Sequence, residues 1–153
     1  GFATVAARRR AKRKDQAEAM AQYLQQRLSA NPSERIFMVG DFNAFEVNDG
    51  YVDVLNGIRG VPAAPGQAVA TVADFLDATT LSNMLSALPA NERYSFSFQG
   101  SAQTLDHILY TPNLQPRFSR AAYARVSADF PAQFSSVASR VERMSDHDAA
   151  LFY

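Results

Sequence analysis

Apolar residues at Ala17, Met20, Ala21, Leu24 and Leu28 fall at three- and four-residue steps and form a single stripe. Gln16, Gln22, Gln25, Gln26 and Arg27 lie largely off it, so the pattern predicts an amphipathic helix from about Ala11. Asn31-Pro32 ends it, because a residue preceding proline avoids the helical region. Before the helix, Gly1–Ala7 reads as a strand remnant or a frayed start. The apolar run Ile36–Val39 is too short for an ordinary helix and reads as a buried strand. Asn48-Asp49-Gly50 predicts a turn and a helix start, with Asn48 or Asp49 as cap and Tyr51–Ile58 packing the helix. Residues 60–73 hold Gly60, Pro62, Pro65 and Gly66 and read as a loop.

Further along, Asp74–Asp77 and Leu81–Leu88 read as short helical pieces, the second ended by Pro89. Strict alternation in Tyr94-Ser95-Phe96-Ser97-Phe98 predicts a strand. A turn at Gln99–Ala102 then leads to Gln103–Tyr110 as the second arm of a hairpin. Ala121–Val126 and Ala149–Tyr153 are further strands, separated by an irregular stretch from Asp129 to Arg143. Helices and hairpins mixed in this way predict an α+β fold with a sheet layer.

A chain of 153 residues can bury one substantial core. No apolar run approaches membrane-spanning length, and no signal segment is visible at the start. With no cysteine, disulfides and thiolate metal sites are excluded. Net charge is zero but unevenly placed: residues 1–14 carry six Lys/Arg and no acid, leaving nine basic against fifteen acidic residues in the rest, a net of −6. The basic end suits contact with an anionic partner such as a phosphate backbone; the bland alternative is a solvated helix face.

The chemistry-bearing residues gather in three stretches. Val39-Gly40-Asp41-Phe42-Asn43-Ala44 closes the first predicted strand. Asp41 and Asn43 are two apart, so in an extended segment they share a side, where a carboxylate and a carboxamide can meet a phosphate and a metal-bound water. An Asx-rich turn explains the same residues without function. The second stretch is Thr104-Leu105-Asp106-His107-Ile108-Leu109-Tyr110, and the third Met144-Ser145-Asp146-His147-Asp148. His107 lies on a face with Leu105 and Leu109 and reads as structural. Glu46 and Asp49 read as turn and cap residues rather than ligands. Tyr94, Phe96 and Phe98 can stack on bases, although an alternating aromatic strand is more often core.

These three stretches, in this order and spread over a domain-sized chain, resemble the C-terminal half of the endonuclease/exonuclease/phosphatase superfamily, the DNase I-like enzymes. The wider run is most similar to bacterial nuclease-like members. The resemblance implies half of a four-layer α/β/β/α sandwich, with a mixed, mostly antiparallel sheet and flanking helices. It implies divalent-metal-dependent hydrolysis of phosphodiester bonds, most often in nucleic acid, with Mg²⁺ as cofactor and Mn²⁺ or Ca²⁺ as alternatives. Asp146 would lie at the metal with Asp41, and His147 would be the catalytic imidazole with Asp106 as its carboxylate partner. Asn43 would donate to the phosphoryl oxygen or leaving group. Either Asp41 or His147 can serve as the base. The family's metal-binding Glu belongs to an N-terminal half with no counterpart in residues 1–7, so that half is the expected partner, along with a phosphodiester substrate. The residues leave the compartment undecided, and the same resemblance favours a secreted or periplasmic one. Phosphatases and phospholipid phosphodiesterases share the superfamily. A different class of function is a non-catalytic nucleic-acid or partner-binding domain that has kept the fold.

Overall fold

A computed structural model describes residues 1–77, 79–140 and 142–153. The predicted amphipathic helix is the longest element, α1 (Phe2–Ala30), with Ala17, Ala21, Leu24 and Leu28 buried along its stripe. It begins nine residues before the periodic pattern becomes visible. Phe2–Ala7 thus forms helix rather than strand, with Gly1 at the N-cap, since Ala-rich sequence propagates a helix once one is nucleated. Asn31 adopts an extended conformation and its N–H donates to Arg27 O at 2.9 Å, ending the helix as Pro32 requires.

Strands β1 (Phe37–Asp41), β2 (Ser82–Asn83) and β5 (Asp106–Tyr110) form one antiparallel sheet in the order β1-β5-β2. β3 (Phe96–Phe98) and β4 (Ser101–Gln103) make a hairpin, and β6 (Ala121–Tyr123) pairs with β7 (Ala150–Phe152). All named strand pairs are antiparallel, with one parallel bridge among the described residues, between Val52 and Ala70. The fold is α+β, with small antiparallel sheets flanked by helices.

Strand β5 is the spine of this arrangement. His107 through Tyr110 are buried, and alternate side chains feed two cores. Leu109 joins α1, the short helix α2 (Val54–Arg59), and Val72, Leu76 and Leu81. Ile108 joins Met84, Leu85, Leu88 and Tyr123, with Ala150 and Phe152 against them. β1, expected to be buried, is instead an edge strand: Phe37 is 50% and Val39 64% exposed, and only Met38 reaches the first core. A continuous apolar run reveals hydrophobicity but not whether both faces find partners.

Three local expectations change. The predicted second hairpin arm divides at Thr104-Leu105. The tight turn is Gln99-Gly100, both at positive φ (51° and 83°), which matches the right-handed twist of a two-residue hairpin loop. β4 stops after Gln103 because buried Ser95 intervenes: its Oγ accepts from both Leu105 N–H (3.2 Å) and Asp106 N–H (3.1 Å). Asn48 and Asp49 make Asx turns onto Gly50, Tyr51 and Val52 rather than capping a helix, and α2 starts later, after Asp53. Asp74–Asp77 is irregular, and Leu81–Leu88 contains β2 followed by a 3₁₀ turn over Met84–Ala87. The described part of Asp129–Arg143 is irregular apart from a 3₁₀ turn at Ala132–Phe134, as expected; Val141 lies outside the described residues. Among the described residues no helix is long and apolar enough to cross a membrane.

Candidate active site

Pairing of β1 with β5 sets Asp41 directly opposite Asp106. Two carboxylates facing each other across a ladder repel, a cost of about 0.2–1 kcal/mol that a cation bound between them would offset. His147 reaches in from the segment before β7, with Nδ1 2.6 Å from Asp106 Oδ2. Asp41, Asp106 and His147 each offer a ligand atom within 4.8 Å of the others. With Asp106 as acceptor, Nδ1 carries the proton and Nε2 is left without a hydrogen-bond partner among the described residues.

The imidazole is held from several sides. Phe96 stacks on it, ring centroids 4.6 Å apart, and the two residues form an isolated β-bridge. Ser145 Oγ accepts from His147 N–H at 3.1 Å. Asp106 is fixed through its backbone by the Ser95 hydroxyl and by Tyr123, whose OH donates to Asp106 O. Burial, and then the Asp106 charge, push the Tyr123 phenol well above its usual range, so it remains a donor.

Asp41 and Asn43 do converge, though by a turn rather than by strand alternation. Gly40 sits at φ 151° and Asn43 at φ 47°, a left-handed conformation that Asn tolerates. Asn43 N–H donates to Asp41 Oδ1 (2.7 Å) and its Nδ2 to Oδ2 (3.0 Å). The Asx turn and the site are therefore the same structure. Each Asp41 oxygen keeps a second lone pair for another donor or a cation. Arg13 from α1 braces the turn by donating from Nη2 to Asn43 O at 2.6 Å.

His107, one residue from Asp106, is fully buried on the opposite face of β5. Its Nε2 donates to Ala44 O (2.8 Å) and its Nδ1 accepts from Asn83 Nδ2 (3.1 Å), which fixes a neutral ring. Burial lowers its pKa from the ordinary 6.5. The structural reading of His107 agrees with this. Because the unfolded chain takes up this proton more readily, stability is fully present above pH 6.5 and falls as pH drops toward the lowered folded value. We expect thermal melts to show that loss on acidification, and His107→Gln to flatten the His-dependent part of the slope; an unchanged slope would contradict the assignment.

Asp146 is exposed and the fold does not bring it into the three-residue cluster. Neighbouring residues in extended chain face opposite ways, and His147 takes the inward position. Glu46 forms an ion pair with Arg93 (3.5 Å). Sequence reasoning missed Ser95, Phe96 as a ring support, Tyr123 and above all Asp148. Its side chain is fully buried and accepts from the N–H groups of Val126 (3.2 Å), Ser127 (2.8 Å) and Ala128 (3.0 Å) and from Arg125 Nη1 (3.0 Å). Its own N–H donates to Ser95 O at 2.7 Å, tying the residue after His147 to the residue before Phe96. The second acid in Ser-Asp-His-Asp was the available signal.

The donor set fits a hard divalent cation. Asp41 and Asp106 are facing oxygen donors with uncompensated charge, while His147 Nδ1 is already committed to Asp106. A model of the endonuclease/exonuclease/phosphatase family matches residues 7–147. The chain belongs to this family. No curated protein and no solved structure matches the chain. Family membership suggests phosphodiesterase- or nuclease-type hydrolysis, and Asp41, Asp106 and His147 form a cluster that could coordinate a divalent metal.

Proposed function

We propose that this chain carries the proton-transfer and phosphate-orienting half of a divalent-metal-dependent phosphodiesterase acting on nucleic acid. The observation that carries the reading is the His147–Asp106 contact at 2.6 Å beside Asp41. A carboxylate that holds Nδ1–H leaves Nε2 as the proton acceptor. Asp41 is the other candidate base; its oxygens are oriented by Asn43 and would serve the cation, so we assign proton transfer to His147, whose Nε2 has no hydrogen-bond partner among the described residues. Water attacks phosphorus and forms the new P–O bond while its proton passes to Nε2. The bond to the leaving oxygen breaks, and that oxygen takes a proton from solvent. Asn43 positions Asp41, and its Nδ2 would donate to a phosphoryl oxygen. Asp41 and Asp106 would hold a divalent cation such as Mg²⁺, which would supply positive charge to the phosphoryl oxygens.

We also read residues 1–153 as the C-terminal portion of one such domain, a half-sandwich completed by an N-terminal half. One observation supports this. The edge strand β1 leaves Phe37 and Val39 exposed.

The test is hydrolysis of supercoiled plasmid, of a small phosphodiester and of a phosphomonoester, each with Mg²⁺ and with chelator. It is run on the chain alone and on the chain extended by any upstream coding segment. We expect Mg²⁺-dependent plasmid nicking by the extended protein, little from the chain alone, and little turnover of the monoester. DNA binding without hydrolysis by either protein would move the chain to the binding-only class, and a preference for the monoester would make it a phosphatase.

A further inference from the structure

The core-facing line of α1 changes character along its length. From Ala17 to Leu28 it is apolar and buried. Stepping back three and four residues, the same line continues through Lys14 and Arg13 to Arg10. These three are half-buried, whereas Arg8, Arg9 and Lys12 are exposed. A merely solvated basic face would lie opposite the apolar stripe; here part of the charge is directed along it. Where the helix passes the sheet, Arg13 bonds Asn43 O and, with Gln16, lines an open groove whose far wall holds Gly40 and Asp41. Lys14 is tied to Glu18 at 2.7 Å. Arg8, Arg9, Arg10 and Lys12 have no ion-pair or hydrogen-bond partner among the described residues.

Six positive charges therefore sit within about 9 Å of helix axis, against an otherwise acidic body. One phosphate cannot offset that density, but a chain of phosphates can. A membrane surface is the rival polyanion. Helices that lie in a membrane interface need an apolar face to bury, and the α1 stripe is already spent on the core, leaving Phe2 and Val5 as the exposed large apolar residues near the basic run.

We infer that the basic N-terminal half of α1 is a phosphate-tracking surface that leads a nucleic-acid strand along Arg10, Arg13 and Lys14 to the Asp41–Asp106–His147 site. The inference rests on the phosphodiesterase reading of that site. It makes the enzyme one for polymeric substrates, selected by charge spacing rather than by base identity.

The test measures binding without chemistry: fluorescence anisotropy of a short labelled DNA duplex with the full chain, in chelator, across a salt series. Each lost phosphate contact lowers the slope of log K against log salt by about 0.9. The triple variant Arg10→Ala, Arg13→Ala, Lys14→Ala should lose about 2–3 from that slope and at least tenfold in affinity near 0.1 M salt. A control removing the same charge from exposed positions elsewhere, Arg35→Ala, Arg117→Ala and Arg120→Ala, should bind within about twofold of the native chain, because those residues make no track of phosphate contacts. Equal losses in the two triples would overturn the inference by reducing it to net charge. So would binding to phosphatidylserine vesicles that the first triple abolishes while DNA binding stays unchanged. If the triple variant fails to fold by circular dichroism, Arg10→Ala, which removes no internal partner, should still lower the slope by about 0.9, and an unchanged slope would overturn the proposal. Loss of hydrolysis with native DNA affinity would instead strike the catalytic reading and leave the track standing.

Discussion

In the catalytically complete protein, His147→Ala should lower phosphodiester hydrolysis by about 10²–10⁴-fold, the usual worth of a positioned general acid–base group. The imidazole is partly exposed and its ring supports the site rather than the core, so the variant should stay folded. Asp41→Asn should lose a comparable factor, because it removes a carboxylate facing Asp106 and weakens the charge on which both Asn43 donors converge. The internal control is the other histidine. His107→Gln alters a fully buried ring that spans Ala44 and Asn83, so its cost should fall mainly on stability. Single-turnover rates and urea midpoints measured on the same preparations separate the two. Equal rate losses at His107 and His147 with native stability would show that the wrong histidine carries the chemistry.

The largest stability effect should come from Asp148→Ala, because several donors lose one buried acceptor, at about 1–3 kcal/mol for each donor left buried and unsatisfied. The carboxylate is fully buried, and its loss would strand three amide N–H groups at Val126–Ala128 and uncouple Arg125. Arg125 does more than pair with Asp148: it stacks over Tyr94 at 3.6 Å and donates to Tyr94 O and Glu92 O. Removing Asp148 therefore loosens the strand that brings Phe96 onto His147, and activity should fall together with stability. Asp148→Asn keeps the shape and one acceptor and should cost less. A shift in the urea midpoint worth under about 0.5 kcal/mol for Asp148→Ala would contradict this account of the site's support, since such values belong to surface substitutions.

What the sequence made legible follows the range of each signal. The α1 stripe was readable because its period is local, and Asp41, Asp106 and His147 were readable because each sits in a short recognisable stretch. The fold brings these three together from positions far apart in the chain. Burial of β1 was misjudged because it depends on neighbours contributed from elsewhere in the fold. The division of the hairpin at Thr104-Leu105 was hidden for a similar reason, since it follows from one hydroxyl, Ser95 Oγ, reaching two amides ten and eleven residues away. Asp146 and Asp148 show the limit most directly. The stretch singles out His147, but nothing local says which of the two flanking acids faces solvent and which is buried under a loop. Only the path of the chain between Ser95 and Val126 decides it.

The central claim is that Asp41, Asp106 and His147 form one centre where cation and phosphate meet. The most direct measurement is a Mn²⁺ titration followed by nuclear magnetic resonance on the uniformly labelled chain, with Asp41→Asn as comparison. The account predicts saturable paramagnetic broadening centred on residues 41–43, 106 and 147, displaced by excess Mg²⁺ and largely lost in Asp41→Asn. Broadening centred on the Asn48–Asp53 turn, or at 41–43 but unchanged by Asp41→Asn, would contradict it.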